Sequence, residues 1–339
     1  MRYVEVAPGE VRVVEGPPGV VGDGQARVEV GACGLCASDH RLLQAMVLPK
    51  GVTYPVRPGH EVAGVVTEVG PGTVGIAPGD AVVLHPLAPC GHCKACLSGH
   101  EQRCPHGRVL GLHDPGGMAE EVVWPVSRMV AVPGLPAHLA ALLPDAVATA
   151  HHALGIASLQ SHGRLCVIGA GGVGSHVVEL AMALHPHLHV AAVVRSEASV
   201  RRLQRLGVHA ISGLDGAGAR LREEVGRFDA VIDFSGVARA PAEAVRMLGS
   251  GGRLVLGSVV DEPLDLGTTV TAITTRELQV IGCYVSTLAD LRAVAGMALR
   301  GRLELDAKVS FRVPLDDAPR AFALLDERPP GMVRVVLEP

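Results

Sequence analysis

The stretch Val167-Ile168-Gly169-Ala170-Gly171-Gly172-Val173-Gly174 constrains this chain more than any other. Two β-branched residues lead into a G-x-G-x-x-G turn, and an apolar helical face follows at Val173, Val177, Leu180, Ala181 and Leu184. Gly169 suits a tight turn, Gly171 lets backbone approach a pyrophosphate, and Gly174 lets a helix lie close on a sheet. The helix N-terminus then faces the negative charge. In a chain with 42 glycines the pattern alone says little. Its context says more: a strand before, a helix after, and a second strand at His189–Val194 predict a dinucleotide-binding βαβ unit, with Gly172 and Val173 completing the turn.

Around that turn the organisation changes twice. Residues 1–146 hold short Val-containing runs, such as Ala26–Val30, Val62–Val69 and Ala81–Leu84, punctuated by Pro71-Gly72 and Pro78-Gly79-Asp80. This reads as a compact β-rich domain. Residues 147–284 alternate strand and helix. Strands are expected at Arg164–Ile168, His189–Val194, Ala230–Phe234, Arg253–Gly257 and Leu278–Gly282, with helices near Ser199–Leu206 and Pro241–Leu248. That alternation predicts an α/β doubly wound parallel sheet. The tail, 285–339, carries helices near Leu288–Leu299 and Asp316–Leu325 and a final strand Val333–Leu337. At 339 residues there is room for about two domains, each with a core. With aromatics at 2%, those cores must be aliphatic.

The formal charge of -4 leaves no electrostatic footprint for nucleic acid. The start, Met1-Arg2-Tyr3-Val4-Glu5, lacks the apolar run of a signal peptide, and no 18-residue uncharged apolar segment occurs. The expectation is a cytoplasmic protein with neither nucleic acid nor membrane as partner.

Eight cysteines cluster at short spacings, which in such a chain points to metal before disulfides. Cys90-x2-Cys93-x2-Cys96-x7-Cys104 offers four thiolates for a closed tetrahedral zinc, stapling a lobe at about 88–106. An iron–sulfur reading competes because Cys104-Pro105 echoes the end of a ferredoxin run; there the last gap is three residues, here seven. A second set is scattered: Cys36, His60-Glu61 and Pro144-Asp145. Singly, a cysteine is a small core residue, a histidine a satisfied one, and Asp145 a cap for the following helix. Together they supply a thiolate, an imidazole and a carboxylate, a three-ligand set that leaves a fourth zinc position open.

The order of G-L-C-A-S-D (Gly34–Asp39), P-G-H-E-V-A-G-V-V-T-E-V-G (Pro58–Gly70), P-G-D (Pro78–Asp80), the four-cysteine lobe, G-A-G-G-V-G and T-R-E-L-Q-V-I-G (Thr275–Gly282) resembles the zinc-containing alcohol dehydrogenases of the medium-chain dehydrogenase/reductase family, over nearly the whole chain. The resemblance implies a GroES-like catalytic domain built from 1–146 plus 285–339, and a Rossmann domain at 147–284. It implies two zincs per chain: a structural one on Cys90, Cys93, Cys96 and Cys104, and a catalytic one on Cys36, His60 and Asp145. Glu61 would be a neighbouring carboxylate able to enter the metal's coordination. Aspartate at the third position looks like members acting on secondary alcohols. Hydride would pass between an alcohol carbon and a nicotinamide, interconverting alcohol and ketone or aldehyde, with Ser38 taking the alcohol proton. Many members carry a relay histidine five residues after the zinc cysteine; this chain has Arg41 there and His40 one step earlier, about 100° away on a helix. A polyol, cyclitol or amino-alcohol dehydrogenase uses the same chemistry. A zinc- and nucleotide-binding protein without catalysis is the remote alternative. The family also implies a homodimer or homotetramer.

The strand after the glycine turn usually ends in an acid that binds the ribose hydroxyls. Here Val194 takes that place, followed by Arg195 and Ser196, with Arg201 and Arg202 nearby. Loss of the acid removes repulsion toward a 2′-phosphate, and Arg195 can meet it bidentately, so NADP is favoured over NAD. In the competing reading Arg195 faces solvent and Glu197 supplies the acid. Ser235 and Ser258, at the ends of later strands, are expected to face the cofactor.

Overall fold

The computed structural model describes all 339 residues, Met1–Pro339. They form two compact units. The first comprises Met1–Ala148, Ser286–Pro329 and Val333–Pro339; the second comprises Thr149–Val285 with Pro330–Met332.

The first unit is built on a seven-stranded sheet whose spine is the 11-residue strand Gln25–Leu35. Its residues alternate: Ala26, Val28, Val30 and Ala32 are almost wholly buried, while Glu29 and Gly31 face out. This period of two is what one buried sheet face requires. One end of the strand, Gln25–Glu29, pairs with Glu121–Pro125, while Cys33–Leu35 pairs with the C-terminal strand Arg334–Glu338. Its other edge pairs with Glu61–Val69, followed in the sheet by Ala81–Leu84 and Met129–Ala131. Most pairs are antiparallel; Val309–Pro314 joins Arg334–Glu338 in parallel. The last strand of the chain therefore seals the sheet begun near residue 25, which joins the two chain ends in one unit.

The second unit has six parallel strands in the order His209–Ser212, His189–Val194, Arg164–Ile168, Phe228–Asp233, Leu248–Leu256, Gln279–Gly282. This 3-2-1-4-5-6 order is the doubly wound dinucleotide fold, with the order reversing at Arg164–Ile168. Its core is aliphatic, drawn from Ile168, Val193, Leu221, Val231, Leu248 and Leu254, with Phe228 as the large filler.

Several bounds differ from the sequence expectation. The helix expected at Ser199–Leu206 is Glu197–Gln204, because the Ser196 hydroxyl accepts the Ser199 N–H and caps it two residues earlier. The helix expected at Asp316–Leu325 is Ala318–Glu327, beginning after Asp317 with Pro319 in its first turn. The strand expected at Arg253–Gly257 starts at Leu248, and a sixth strand, His209–Ser212, went unpredicted. The run Ala137–Ala157 is one helical stretch of 21 residues, long and apolar enough to cross a membrane by length and composition. Of its most apolar window 67% is buried inside the structure, as a core helix is.

Candidate metal and nucleotide sites

Cys36 follows the spine strand in an extended conformation (φ -99°, ψ 156°) and stands at the N-cap of the helix Ala37–Leu43. Three residues on, buried Asp39 turns its carboxylate back: Oδ2 accepts the Cys36 N–H at 2.9 Å, and Oδ1 lies 3.3 Å from His60 Nδ1. One carboxylate thus fixes both a backbone amide and an imidazole face. The other ring nitrogen, Nε2, lies 3.6 Å from Asp145 Oδ2, and Cys36 Sγ lies 3.6 Å from that same oxygen. Donors around a tetrahedral zinc stand about 3.5 Å apart, so these spacings suit a shared cation. Burial pushes the His60 pKa down, but the Asp39 charge and hydrogen bonds to Asp145, Asp39 and Cys36 outweigh it, leaving it well above the ordinary value.

Asp145 sits in a single π-helical turn, Leu143–Val147, in which the Val147 N–H reaches Leu142 O at 3.1 Å. Pro144 has no N–H to give, and the widened turn changes the direction in which residue 145 points. It is part of this turn, not a cap for the helix Ala148–Ala157. Glu61 is fully buried; its Oε2 accepts from Arg334 Nη2, and its Oε1 has no hydrogen-bond partner. The donor atoms of Cys36, His60, Glu61 and Asp145 all lie within 4.8 Å of one another. An orphaned buried carboxylate oxygen beside a thiol, an imidazole and a second carboxylate is a donor set that fits a zinc ion. Burial lowers the Arg334 pKa, while Cys36 and Asp39 act against it.

Two members of this cluster were missed in the sequence. Asp39 reads as an ordinary first-turn helix residue, although an acid three after a cap is a recognisable signal. Arg334 is 273 residues from Glu61 and carries no local signal at all. Ser38 is exposed on the first turn after Cys36, whereas His40 is buried with Nε2 2.8 Å from Asp326 Oδ1.

The cysteine lobe gathers its four sulfurs with separations of 3.5 Å (Cys93–Cys96, Cys90–Cys104), 3.8 Å (Cys93–Cys104) and 4.0 Å (Cys90–Cys96), and none forms a disulfide. Sulfurs bound tetrahedrally at about 2.3 Å stand about 3.8 Å apart, the fit expected of zinc. Nearby histidines turn elsewhere: His92 Nδ1 meets Cys90 O, and His100 Nδ1 meets Ser98 Oγ. Between Ala88 and His106 only Gln102 is buried, so the lobe has no apolar core of its own. Glu101 ties it down: it pairs bidentately with Arg128 (2.7 and 3.1 Å) and accepts the Leu288 N–H at 2.7 Å. Arg128 in turn meets buried His85 Nδ1 at 2.9 Å.

At the glycine turn of the second unit, Gly169 has φ +85° and its N–H bonds Val193 O at 2.9 Å. A Cβ on Gly174 would stand 2.1 Å from Gly169 O, whereas one on Gly171 would meet nothing within 4 Å. The turn is therefore closed on its inner side and open at Gly171, a cradle suited to a pyrophosphate. Gly172 and Val173 are half-buried beside it. Ser235 and Ser258 accept backbone N–H groups of Val237 (3.2 Å) and Gly236 (3.0 Å), which orders the loop after Phe228–Asp233. Val194 is buried, Arg195 is exposed, and Ser196 is the helix cap already described. Glu197, the alternative ribose acid, accepts from the Ser212 hydroxyl.

Comparison with known proteins places both units. Residues 22–134 match the alcohol dehydrogenase GroES-like domain and residues 172–300 the zinc-binding dehydrogenase domain. The chain is 31% identical over 314 residues to an NAD-dependent alcohol dehydrogenase of Saccharolobus solfataricus, covering 89% of each. It is 28% identical over 335 residues to a 2-dehydro-3-deoxy-L-galactonate 5-dehydrogenase of Pseudoalteromonas atlantica, covering 96% of this chain and 94% of that one. A cobalt- and zinc-bound thermostable alcohol dehydrogenase from Pyrobaculum aerophilum superimposes with a TM-score of 0.87 at 29% identity, over 100% of this chain and 99% of that one.

Proposed function

Since the chain belongs to the zinc-containing alcohol dehydrogenases of the medium-chain dehydrogenase/reductase family, we propose that its substrate is a secondary alcohol and its ketone. We propose further that Cys36, His60 and Asp145 hold the catalytic zinc and that NADP is the preferred coenzyme. It is a zinc- and NAD(P)-dependent oxidoreductase acting on CH–OH donors. When bound, zinc supplies the Lewis acidity that makes the alcohol more acidic, and the nicotinamide carries the hydride. This chain's residues do the rest. Asp39 orients His60 and sharpens its basicity as a ligand. Arg334 holds Glu61 by one oxygen and leaves the other facing the donor cluster. Ser38, exposed beside Cys36, takes the alcohol proton; His40 is held by Asp326 and stands outside this path.

The observation that carries this reading is the donor cluster with the orphaned Glu61 oxygen at its edge. A polyhydroxy substrate is the second reading. The Pseudoalteromonas relative is named for oxidation within a polyhydroxy acid. Assays of simple secondary alcohols and polyols with both coenzymes separate the two. Metal analysis of Cys36→Ser is expected to find one zinc per chain and no turnover; retention of two zincs refutes the ligand assignment.

The enzyme acts in the cytoplasm, where its eight cysteines, none of them in a disulfide, stay reduced. It assembles as a dimer or tetramer in which Gln279–Gly282, an edge strand of its sheet, adds to its counterpart in a second copy. Light scattering of the purified chain tests the assembly.

A further inference from the structure

Arg202 is the unexplained cation of the second unit. It lies on the helix Glu197–Gln204, half-buried, and its Nη2 donates to the carbonyl of Ala170 at 3.0 Å. Ala170 is the residue between the first two glycines of the turn, and Gly169 is bonded directly to the end of the strand His189–Val194. Arg202 therefore links the helix that follows that strand to the glycine turn, beside the place where the adenosine ribose lies in folds of this strand order. Its Nε is buried with no hydrogen-bond partner, and no carboxylate pairs with it. Burial lowers its pKa with no charged group acting against it.

The surroundings make this cation more anomalous. Between Val194 and Leu206 stand four arginines (195, 201, 202 and 205) and one acid, Glu197, which the Ser212 hydroxyl engages. The N-terminus of the 11-residue helix Gly174–Leu184 adds the positive end of its dipole next to Ala170. A half-buried guanidinium beside a positive helix end, with five N–H groups and one visible acceptor, is under-satisfied in the free protein. A dianionic group at the ribose supplies the missing acceptors and charge. Arg195, by contrast, is exposed, where its charge is well screened.

We infer that Arg202 is the specificity-determining residue for the coenzyme's 2′-phosphate, held ready on the Ala170 carbonyl, with Arg195 secondary. This rests on the NADP reading above and assigns its main recognition group. A merely structural Arg202 would brace the glycine turn through Ala170 and serve every adenine nucleotide alike, so the test uses fragments without nicotinamide. Adenosine 2′,5′-bisphosphate and ADP are titrated calorimetrically into the zinc-loaded, full-length wild type, Arg202→Gln, Arg202→Lys and Arg195→Gln. Glutamine keeps a donor for Ala170 but loses the charge; lysine keeps the charge.

The expected result is that Arg202→Gln weakens the 2′,5′-bisphosphate at least tenfold and ADP less than threefold. Arg202→Lys recovers part of the loss, and Arg195→Gln costs less than Arg202→Gln. Equal weakening of both ligands by Arg202→Gln makes the residue a turn brace and overturns the inference, as does no weakening of either. A wild type that prefers the 2′-phosphate but loses that preference only in Arg195→Gln overturns this inference alone. A wild type that binds both fragments equally overturns the NADP reading and this inference with it.

Discussion

Replacing Gly34 with alanine tests how tightly the buried carboxylate of the donor cluster is held. Gly34 pairs with Glu61 across the spine strand and with Val336 on its other side. A Cβ there would stand 2.1 Å from Glu61 Oε2 and 3.0 Å from Glu61 Cβ, where ordinary contact begins near 3.4 Å. Glu61 is 0% exposed and Arg334 4%, so the carboxylate has no solvent to swing into. Either it rotates and abandons Arg334, or the strand shifts and gives up pairing on both edges. Leaving a buried charge unpaired costs about 3–5 kcal/mol. At two to four degrees per kcal/mol for a unit of this size, the melting midpoint should fall by roughly ten degrees. Calorimetry and urea midpoints at pH 7 measure the loss, and zinc content reports whether the catalytic ion goes with it while the cysteine-lobe ion stays. The decisive comparison is the same substitution in a Glu61→Ala background. There the clashing carboxylate is gone and only the 3.0 Å contact with the Cβ of residue 61 remains, so Gly34→Ala should cost clearly less than in the wild type. An equal cost in both backgrounds refutes the reasoning and puts the strain elsewhere in the strand.

Four other outcomes follow from the same structure. Burial, reinforced by the Arg128 charge, pushes His85 down to about 4 in the folded protein, against 6.5 when exposed. Stability from neutral His85 is therefore fully present above pH 6.5 and is lost as pH falls toward 4, about 2 kcal/mol of it between pH 7 and 5; His85→Gln should flatten that part of the urea-midpoint profile, and an unchanged slope contradicts the assignment. Asp39→Asn should speed loss of the catalytic zinc to a chelator by 10- to 100-fold without touching the lobe's zinc, since the amide keeps an acceptor for Cys36 N–H but loses the charge at His60. Cys104→Ser should leave one zinc per chain and open the 88–106 segment to protease, because nothing apolar holds it; an intact segment would show that Glu101 and Arg128 suffice. Ser38→Ala should slow turnover much more than His40→Ala, and equal effects would return His40 to the proton path.

The sequence revealed most where local chemistry is sufficient. Gly174 is required by a contact within its own turn and Gly169 by its positive φ, and four cysteines within 15 residues can meet a single ion after one short turn of chain. Strand–helix alternation showed five of the six parallel strands: four bury a run of Val, Ile, Leu or Ala, and Gln279–Gly282 carries half-buried Val280 and Ile281 after buried Leu278. The sixth, His209–Ser212, has only Ala210 and Ile211 as apolar residues, set between a histidine and a serine.

What the sequence could not reveal depends on contacts between distant segments. Cys36, His60 and Asp145 could be named as a set but not joined, since their spacings belong to three different elements. Only the paired strands Gln25–Leu35, Glu61–Val69 and Arg334–Glu338 bring Arg334 onto Glu61, and only the π turn at Leu143–Val147 sets Asp145 within 3.6 Å of both Cys36 and His60. Likewise the missing acid at Val194 is plain in the sequence, while the guanidinium on Ala170 is not. Local sequence determines which groups a turn or a lobe can offer. Sheet register and burial decide which of them meet, because a charge removed from water must find its partner wherever the fold has put one.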